Sequence, residues 1–566
     1  MVLTPNRAAK LACWCIRTAW APLRWQRVAL MAALALVTAG CAMWAVALHH
    51  QATRRPETWV SLFDYIYAPF LYLVPQSNFA YATTLTLPEA VARIIGPLLS
   101  LLGLFWLARR QLLITAAGLL LDYGARGHAM ILAEHGSGDA LALASAGAGE
   151  TVVLADASVI DEEDRLAVLG AAGVMCRGAL PKSLARAGTL ALWQASDADN
   201  IACATSLRSG HDIRAREIHL SVRSVDLHRA LLQVPDLMLD KAVRLRPHSV
   251  AGDAMRAALA GPTLPALAVT RNQPRVTLCL WGMTDALIWA GEIALRQYWS
   301  ARLGAPRVVW AGGALDAPLP EALTHLVEHA AHVFGAGATC PVVERLSSEA
   351  ACTDPGISCH LIDAGDADAT LAQAFALASK LRQMHAEPAP VRPVLDVACA
   401  IGPLFTTDKL VFQPPIIPGA DLTLEALRNR EADAAAAQIH LAYDRQFGGG
   451  GTAPASGRWQ DLPETYVAAN RAAADHVAIK QWDAATSGLA GDALIEALAE
   501  AEHNRWSADR LLAGWSPAGD AARDNARRLH PDLRPWGALG EDAREKDRVA
   551  VRNLVAELIR GDSAGQ

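Results

Sequence analysis

Tryptophans and arginines crowd the last stretch of this chain: Trp506, Trp515 and Trp536, with Arg505, Arg510 and Arg548 among the arginines nearby and His503 three residues before Trp506. An indole offers a stacking face, and a guanidinium offers a two-pronged donor for phosphate oxygens. Such groups suit a pocket that sandwiches a base and holds phosphates. His503, Trp506, Arg510, Trp515, Trp536 and Arg548 are therefore the candidate ligand-binding residues, and a small nucleotide is the ligand they favour. The competing reading makes His and Trp at helical spacing the core of a helix pair, with Asp547-Arg548 tying a loop.

A second constellation follows an apolar run. After HAMILA come Gly136 and Gly138, and Asp156 ends the next apolar run about 20 residues on, where a ribose-binding acid sits in a dinucleotide fold. Asp197, Asp199 and Asn200 follow a later run, TLALWQAS. The glycine pattern is incomplete. One frame gives Gly136, Gly138 and Leu141, and another gives Ala133, His135 and Gly138; Glu134 and Asp139 add negative charge where a pyrophosphate would approach. Gly136, Gly138, Asp156, Asp197 and Asn200 are thus candidates for nucleotide contact, against a structural domain whose glycines simply turn the chain. An NAD-type or other nucleotide fits this reading without being required by it.

Other chemistry is poorly represented. Ten scattered cysteines show no paired ligand spacing, and the nearest cluster, Cys352, Cys359 and His360, does not suit tetrahedral zinc. Buried thiols in a reducing compartment are the better reading, and no metal site is expected. No GxSxG elbow, HExxH helix or Cys-His framework occurs, so an enzyme is not expected. A net charge of -6 carries no basic surplus for a nucleic-acid polymer.

The elements that would position these residues begin with a membrane part. The chain has 566 residues, 52% of them hydrophobic, and a mean hydropathy of +0.18. Val28–Leu48 carries no charge, enough to cross a hydrocarbon layer of about 30 Å. Arg7, Lys10, Arg17, Arg24 and Arg27 precede it and hold the N-terminus on the cytoplasmic side. Ile94–Ala108 is a shorter second span with Pro97 inside it, bounded by Arg93 and by Arg109-Arg110. Trp59–Val74, interrupted by Asp64 and Pro69, reads as re-entrant or interfacial, because a third crossing would place the following domain outside the cell.

Beyond Gly127, strands at HAMILA, TVVLADAS, GVMCRG, TLALWQAS and EIHLSVRS alternate with helices as βαβ units do. After a Pro-containing linker at Gly261–Gln273, a second unit starts at VTLCLWGMTDAL, with further strands at RVVWAGG, GISCHLIDAG and PVLDVACA; it reads as a degenerate copy that binds nothing at its turn. The last quarter repeats itself. Leu462, Glu464, Asn470, Arg471 and Ala473 follow Trp459 at offsets of 3, 5, 11, 12 and 14, and Leu539, Glu541, Asp547, Arg548 and Ala550 follow Trp536 at the same offsets. His440 and Tyr443 upstream match His503 and Trp506, so a duplicated helical unit is the economical explanation.

Two family resemblances rest on these motifs. Residues 28–246, with the order of spans and the SDADNIACA segment, resemble two-span potassium channels carrying RCK (TrkA-N) domains, although PQSNFAYATT replaces a TVGYG-like filter and removes support for selectivity by that mechanism. Glu502, His503, Trp506, Gly514, Trp515, His530, Pro531, Pro535, Trp536, Leu539, Lys546, Asp547 and Arg548 resemble the RyR domain of ryanodine receptors and bacterial proteins, with a partial first copy loosened by Gly448–Gly451.

The expected architecture is a membrane helical hairpin with a re-entrant segment, two α/β Rossmann-like domains and an all-α RyR-type tandem repeat. The boundaries are 1–27 (basic cytosolic N-terminus), 28–123 (hairpin), 127–260, 274–425 and 430–562, the last split into 430–482 and 491–562. The expected function is a ligand-responsive protein of the bacterial inner membrane, channel-like and gated by a nucleotide-type ligand. Both termini are cytoplasmic, the bilayer is a partner and the assembly is a homo-oligomer. The alternative is a non-conducting, membrane-anchored scaffold whose RyR module docks a protein.

Overall fold

The computed structural model describes the chain except residues 1–4, 21–24, 54–86, 125, 179–181, 211–214, 216, 235–237, 241–242, 396–411, 420–421, 429–431, 448–457, 460–461 and 564–566. It divides into two compact units, Met1–Met130 with Ala146–Gly188, and Ile131–Ser145 with Thr189–Gln566.

The first unit opens with a helix that the basic N-terminal sequence did not disclose. In α1 (Pro5–Trp20), Ala8, Ala12, Cys15, Ile16 and Ala19 are buried along one side, and these small side chains let the helix pack closely. Two long helices follow, α2 (Trp25–Thr53) and α3 (Leu87–Leu119), which meet through Ala42 and Ala92. Away from that seam Leu36, Trp44, Leu101, Leu104 and Phe105 are exposed.

Among the described residues no helix is long and apolar enough to cross a membrane. The expected hairpin is thus present as two packed helices but not as two demonstrated spans. The expected re-entrant segment 59–74, and the side chains of residues 25–31, lie outside the described residues.

Past its apolar part α3 is tied to its neighbours. Arg109 donates to the Thr18 carbonyl at 2.7 Å, and Arg110 lies 3.6 Å over the Trp20 ring and pairs with Glu163 at 3.1 Å. A single π-turn, Leu120–Gly124, then leads to β1 (Ala129–Ala133), β2 (Val152–Ala155), α4 (Glu163–Ala172) and β3 (Met175–Arg177). Arg177 pairs with Asp122 at 3.3 Å and Arg186 donates to its carbonyl at 2.6 Å, so the end of α3 is clamped to the strands. Gly170 has to be glycine, because a Cβ there would stand 2.1 Å from the Trp20 indole.

The second unit continues with β4 (Thr189–Trp193), β5 (Glu217–Ser221), α5 (Val225–Leu232), β6 (Met238–Asp240), β7 (Val243–His248) and α6 (Val250–Ala258). The first sheet has the order β3-β2-β1-β4-β5-β7-β6; the edge pair β6 and β7 is antiparallel. The expected linker is instead a helix, α7 (Thr263–Thr270), because Leu264 and Ala268, one turn apart, are both buried. Gln273 then donates to the carbonyls of Pro355 and Ile357 at 2.8 Å each.

Next come β8 (Thr277–Trp281), α8 (Asp285–Gln297), β9 (Arg307–Ala311), α9 (Glu321–Phe334), β10 (Val342–Leu346), α10 (Ser348–Thr353), β11 (Cys359–Ile362), α11 (Ala367–Met384) and β12 (Val391–Pro393). They form a five-stranded sheet, β10-β9-β8-β11-β12, with every pair parallel. The last strand starts earlier than PVLDVACA implied, and residues 396–400 of that segment lie outside the described residues.

Four helices complete the unit: α12 (Ala432–Phe447), α13 (Glu464–Thr486), α14 (Gly491–Leu512) and α15 (Glu541–Ser563). Two of them, α13 and α14, share the core of the second sheet: Ile479, Ala508, Leu511 and Leu512, with Leu533 from the loop before α15, belong to the same buried cluster as Leu278, Leu280, Trp299 and Trp310. Asp483 fixes the seam by accepting from Ser300 Oγ at 2.6 Å and the Ala301 amide at 2.8 Å.

Several histidines are buried in these sheets as neutral rings. His219 Nδ1 and His248 Nε2 share one proton over 2.9 Å, and burial pushes His219 down to about 4. His360 Nδ1 accepts from the Trp281 indole at 3.0 Å, and burial pushes it down to about 3. Between the ordinary value of 6.5 and these lowered values the unfolded chain binds protons that the folded chain refuses, so stability falls as pH drops through that window. We expect the melting temperature of the full chain to decline steeply from pH 6.5 to pH 4. His360→Gln should flatten the slope by about one proton, or about 1.4 kcal/mol per pH unit, in thermal unfolding followed against pH.

Candidate functional site

The C-terminal aromatic residues do come together, but as a packed cluster. His503 and Trp506 lie one turn apart on α14, Trp515 follows the left-handed turn at Gly514 (φ 78°), and Trp536 sits in a short 3-10 turn ahead of α15. Ring centroids are 5.8 Å apart for His503 and Trp506, 5.7 Å for His503 and Trp536, and 4.9 Å for Trp506 and His530. The Trp506–His530 contact is edge-on and leaves no parallel slot for a base. His503 Nε2 engages the Arg534 carbonyl at 2.9 Å, and its Nδ1 faces Asp547 at 3.6 Å. The Trp536 indole donates to Glu496 at 3.0 Å, and Arg548 clamps the same carboxylate from 2.7 and 3.1 Å. Three of the six candidates, His503, Trp536 and Arg548, therefore hold the helices together.

The first copy repeats the arrangement. His440 lies 6.2 Å from Trp459, and Arg471 clamps Asp433 from 2.6 and 2.9 Å, as Arg548 clamps Glu496. Asp433 and Glu496 stand seven residues before His440 and His503 respectively, so the duplication extends to a carboxylate that the aligned offsets did not include.

Arg505 is likewise spoken for. It donates from Nε and Nη2 to Glu502 at 3.0 and 2.8 Å, while Lys480 and His476 reach the other oxygen at 2.9 and 3.0 Å. Burial opposes the Glu502 charge, but Arg505, Lys480 and His476 outweigh it and hold the carboxyl well below the usual range.

The residues around the first glycine turn are also occupied internally. His135 (φ 48°) and Gly136 (φ 82°) are left-handed, and the Ser137 hydroxyl donates to the Trp193 carbonyl, closing the turn. Gly138 accepts from Ala142 at the start of the following helix. Asp156 is buried and accepts from the Ser158 amide at 2.9 Å and from Arg165 at 2.5 Å, so its carboxylate already has a cation. Asp197 accepts from the Arg223 and Ser224 amides, and Asn200 bridges the Gln194 amide to the Ser221 carbonyl across β4 and β5.

Two spaces in the second unit were not visible in the sequence. The larger, of about 580 Å³, is a crevice at the carboxyl ends of β8, β9 and β11. The turns after β8 and β9 expose left-handed glycines, Gly282, Gly312 and Gly313; Arg345 and Lys380 bring positive charge, and α10 and α11 form a side. At Gly282 itself the place of a Cβ is taken by the Asp363 carbonyl, 2.0 Å away, and Thr284 donates to the Asp363 carboxylate at 2.6 Å. The tight turn is thus closed by protein, while the space beside it is open.

The smaller, of about 170 Å³, lies where α5, α6, α8, α13 and α14 converge. Five arginines reach it: Arg229, Arg256, Arg296, Arg471 and Arg510. Of the six C-terminal candidates, Arg510 lines this cavity. Among the described residues, no cluster of three or more His, Cys, Asp or Glu is placed to hold a metal ion. Cys352 and Cys359 are buried in separate apolar clusters.

Residues 490–562 match the RyR domain family. The match covers α14, α15 and the Trp515 and Trp536 loops between them. No curated protein matches the chain. Among solved structures the chain is similar to GsuK bound to ADP, at 15% identity and a TM-score of 0.33 over 71% of this chain and 98% of that one. It is also similar to the GsuK channel bound to NAD, at 11% identity and a TM-score of 0.32 over 72% and 84%.

Within the stretch that matches the RyR domain family, loss of Glu502 is costly, since it would leave Arg505 and Lys480 buried without their shared carboxylate. We expect Glu502→Gln to destabilise the full chain by about 3–5 kcal/mol in denaturant unfolding. Glu541→Gln, which removes exposed contacts with Arg548 and Arg544, should leave the midpoint nearly unchanged.

Proposed function

We propose that this chain is a ligand-responsive protein of the bacterial inner membrane, a regulator and not an enzyme, that senses a nucleotide-type ligand in the crevice of its second sheet. The observation that carries the reading is the position and size of that crevice. In the order β10-β9-β8-β11-β12 the chain leaves β8 toward one edge and returns to β11 on the other side, so the strand order reverses between β8 and β11. Open α/β sheets bind ligands outside the carboxyl ends of their strands at such a reversal. A volume of about 580 Å³ falls within the 300–1,000 Å³ typical of small-molecule sites. Lys380 and Arg345 supply cations for phosphate, and Gly313, with open space where a Cβ would stand, lets the backbone approach. The crevice thus adds a candidate on the second sheet to the C-terminal and first-sheet residues that the sequence motifs single out.

Support for membrane attachment comes from the apolar faces of α2 and α3 and from the basic N-terminal helix. A route for coupling is offered by α3, which runs through Arg109-Arg110 and the clamped π-turn into the first sheet. Both termini face the cytoplasm in this reading, and the active form is a homo-oligomer around a channel-like path. A ligand shifts such a gate only by its differential affinity for the two states.

Thermal unfolding of the full chain in nanodiscs, with ATP, ADP, NAD and cyclic dinucleotides, tests the sensor. At least one should stabilise the protein, by about 2.7 kcal/mol at a hundredfold excess over Kd, and Lys380→Ala should remove the effect. Stabilisation by none of them, or undiminished stabilisation in the variant, overturns the sensor reading. Flux from protein-loaded liposomes separates the effectors: ligand-dependent leakage supports a channel, and binding without leakage favours the scaffold.

A further inference from the structure

The smaller cavity is built differently from the crevice and calls for another ligand. Its charges are nearly all matched. Arg256 forms a bidentate pair with Asp475 at 2.6 and 2.9 Å, and Arg471 forms one with Asp433. Arg229 and Arg296 share the two oxygens of the buried Glu292, and Arg296 also faces Asp509 at 3.2 Å. Arg510 is the exception. It is 9% exposed, and its Nε is buried without a hydrogen-bond partner, as are those of Arg229 and Arg296. Unlike theirs, its nearest carboxylate, the Asp509 already facing Arg296, is 3.8 Å away and beyond hydrogen-bonding range, and its other neighbour is the Trp515 ring at 6.0 Å. Removing one partner from a buried guanidinium is strongly unfavourable, so a cation left this way points to an anion that belongs beside it.

The rest of the wall mixes an apolar patch with polar side chains such as Gln233, Asp253, Gln297 and Thr465. Trp289 lies beside Gly252, where a Cβ would come within 3.0 Å of the indole, and the edge of His228 meets its ring at 5.2 Å. The Trp289 indole N–H is buried without an acceptor. Leu232, Ile293, Ala468, Ala469 and Ala472 complete the apolar surface.

We propose that this cavity is a binding site for a small aromatic monocarboxylate, its carboxylate held by the Arg510 fork and its ring against Trp289. Arg510 is the cavity guanidinium with no carboxylate in hydrogen-bonding range, and Asp253 adds a carboxylate to the same wall, so a ligand of no more than one negative charge fits and a polyphosphate is disfavoured. An apolar cavity of about 150 Å³ accommodates benzene, so about 170 Å³ holds a single ring with its carboxylate and excludes a nucleotide. The ligand touches the tail of the first sheet through α5 and α6, the second sheet through α8, and both helical copies through α13 and α14, so it stabilises their mutual arrangement.

Isothermal titration of the full chain in nanodiscs with benzoate, benzamide and inorganic phosphate tests the site. Benzoate should bind, benzamide and phosphate should bind at least about tenfold more weakly, and Arg510→Gln should weaken benzoate by at least about tenfold. Should Arg510→Gln fail to fold, Ala469→Leu fills the cavity without touching a charge and should abolish benzoate binding. Lys380→Ala should bind benzoate as the unaltered chain does, which separates this site from the nucleotide crevice. Equal affinity for benzamide, preference for phosphate, no benzoate binding, or benzoate binding undiminished by Ala469→Leu or by a folded Arg510→Gln each overturns the proposal.

Discussion

The second unit depends on one buried carboxylate. Glu502 sits in α14 with Arg505 on its own helix, Lys480 and His476 on α13, and His476 in turn holds the Trp299 carbonyl at 2.7 Å in the segment after α8. One oxygen of this anion is held by Arg505 on its own helix and the other ties α14 to α13 through Lys480 and His476, and His476 ties them to the segment after α8. A buried ion pair of this kind adds little net stability over a well-packed apolar alternative, because desolvation consumes much of the attraction. Its consequence is geometric. Only one register of α13 on α14 satisfies the two cations and the imidazole together, so the helices cannot slide without stranding a charge. That fixed register determines which side chains face the space between α5, α8, α13 and α14.

Seen against that constraint, the arginines divide into two groups. Arg505, Arg471, Arg256, Arg548 and Arg165 each meet a carboxylate in close or bidentate geometry, which is how buried guanidinium groups are ordinarily tolerated. Arg510 lies in the last turn of α14, where the carbonyl end of the helix offers some compensation, yet burial still pulls its ionisation down, because Asp509 alone is too distant to offset it. The same chain therefore contains both the solution to burying a cation and one conspicuous departure from it, and the departure faces a cavity.

Much of the framework was legible in the sequence. Continuous apolar runs such as AMILA, TLALW and TLCLW became strands buried on both faces, as parallel sheets require, and the turn residues between them set their limits. Val342–Leu346 escaped notice because VVERL, at the sheet edge, mixes charges into a half-buried run, and α7 escaped because Pro262 and Pro265 signal a loop to any reading of local pattern. The sites were less legible. Tryptophan and arginine types were visible at 503–548, but whether an indole N–H or a guanidinium has already found a carboxylate is a tertiary fact. Glu496, which occupies both Trp536 and Arg548, lies 40 and 52 residues away in the chain. The smaller cavity draws on residues from His228 to Ala513 and has no local signature at all.

The internal duplication separates structural from functional positions without any other sequence for comparison. His440 and His503, Trp459 and Trp536, Arg471 and Arg548, and Asp433 and Glu496 make equivalent contacts in the two copies. Side chains that recur in both halves and perform the same internal task explain how each helical pair stands. They do not explain what distinguishes the second half from the first. At the registers of Glu502 and Arg510, 63 residues earlier as His440 is to His503, the first copy has Ile439 and Phe447. Among the positions where the copies differ are thus the anion that locks the helices and the cation left without a close partner. A duplicated scaffold that keeps its aromatic and clamp positions while altering these among others has kept the contacts that hold each helical pair and placed a guanidinium without a close carboxylate in only one copy, beside the cavity lined by α13 and α14.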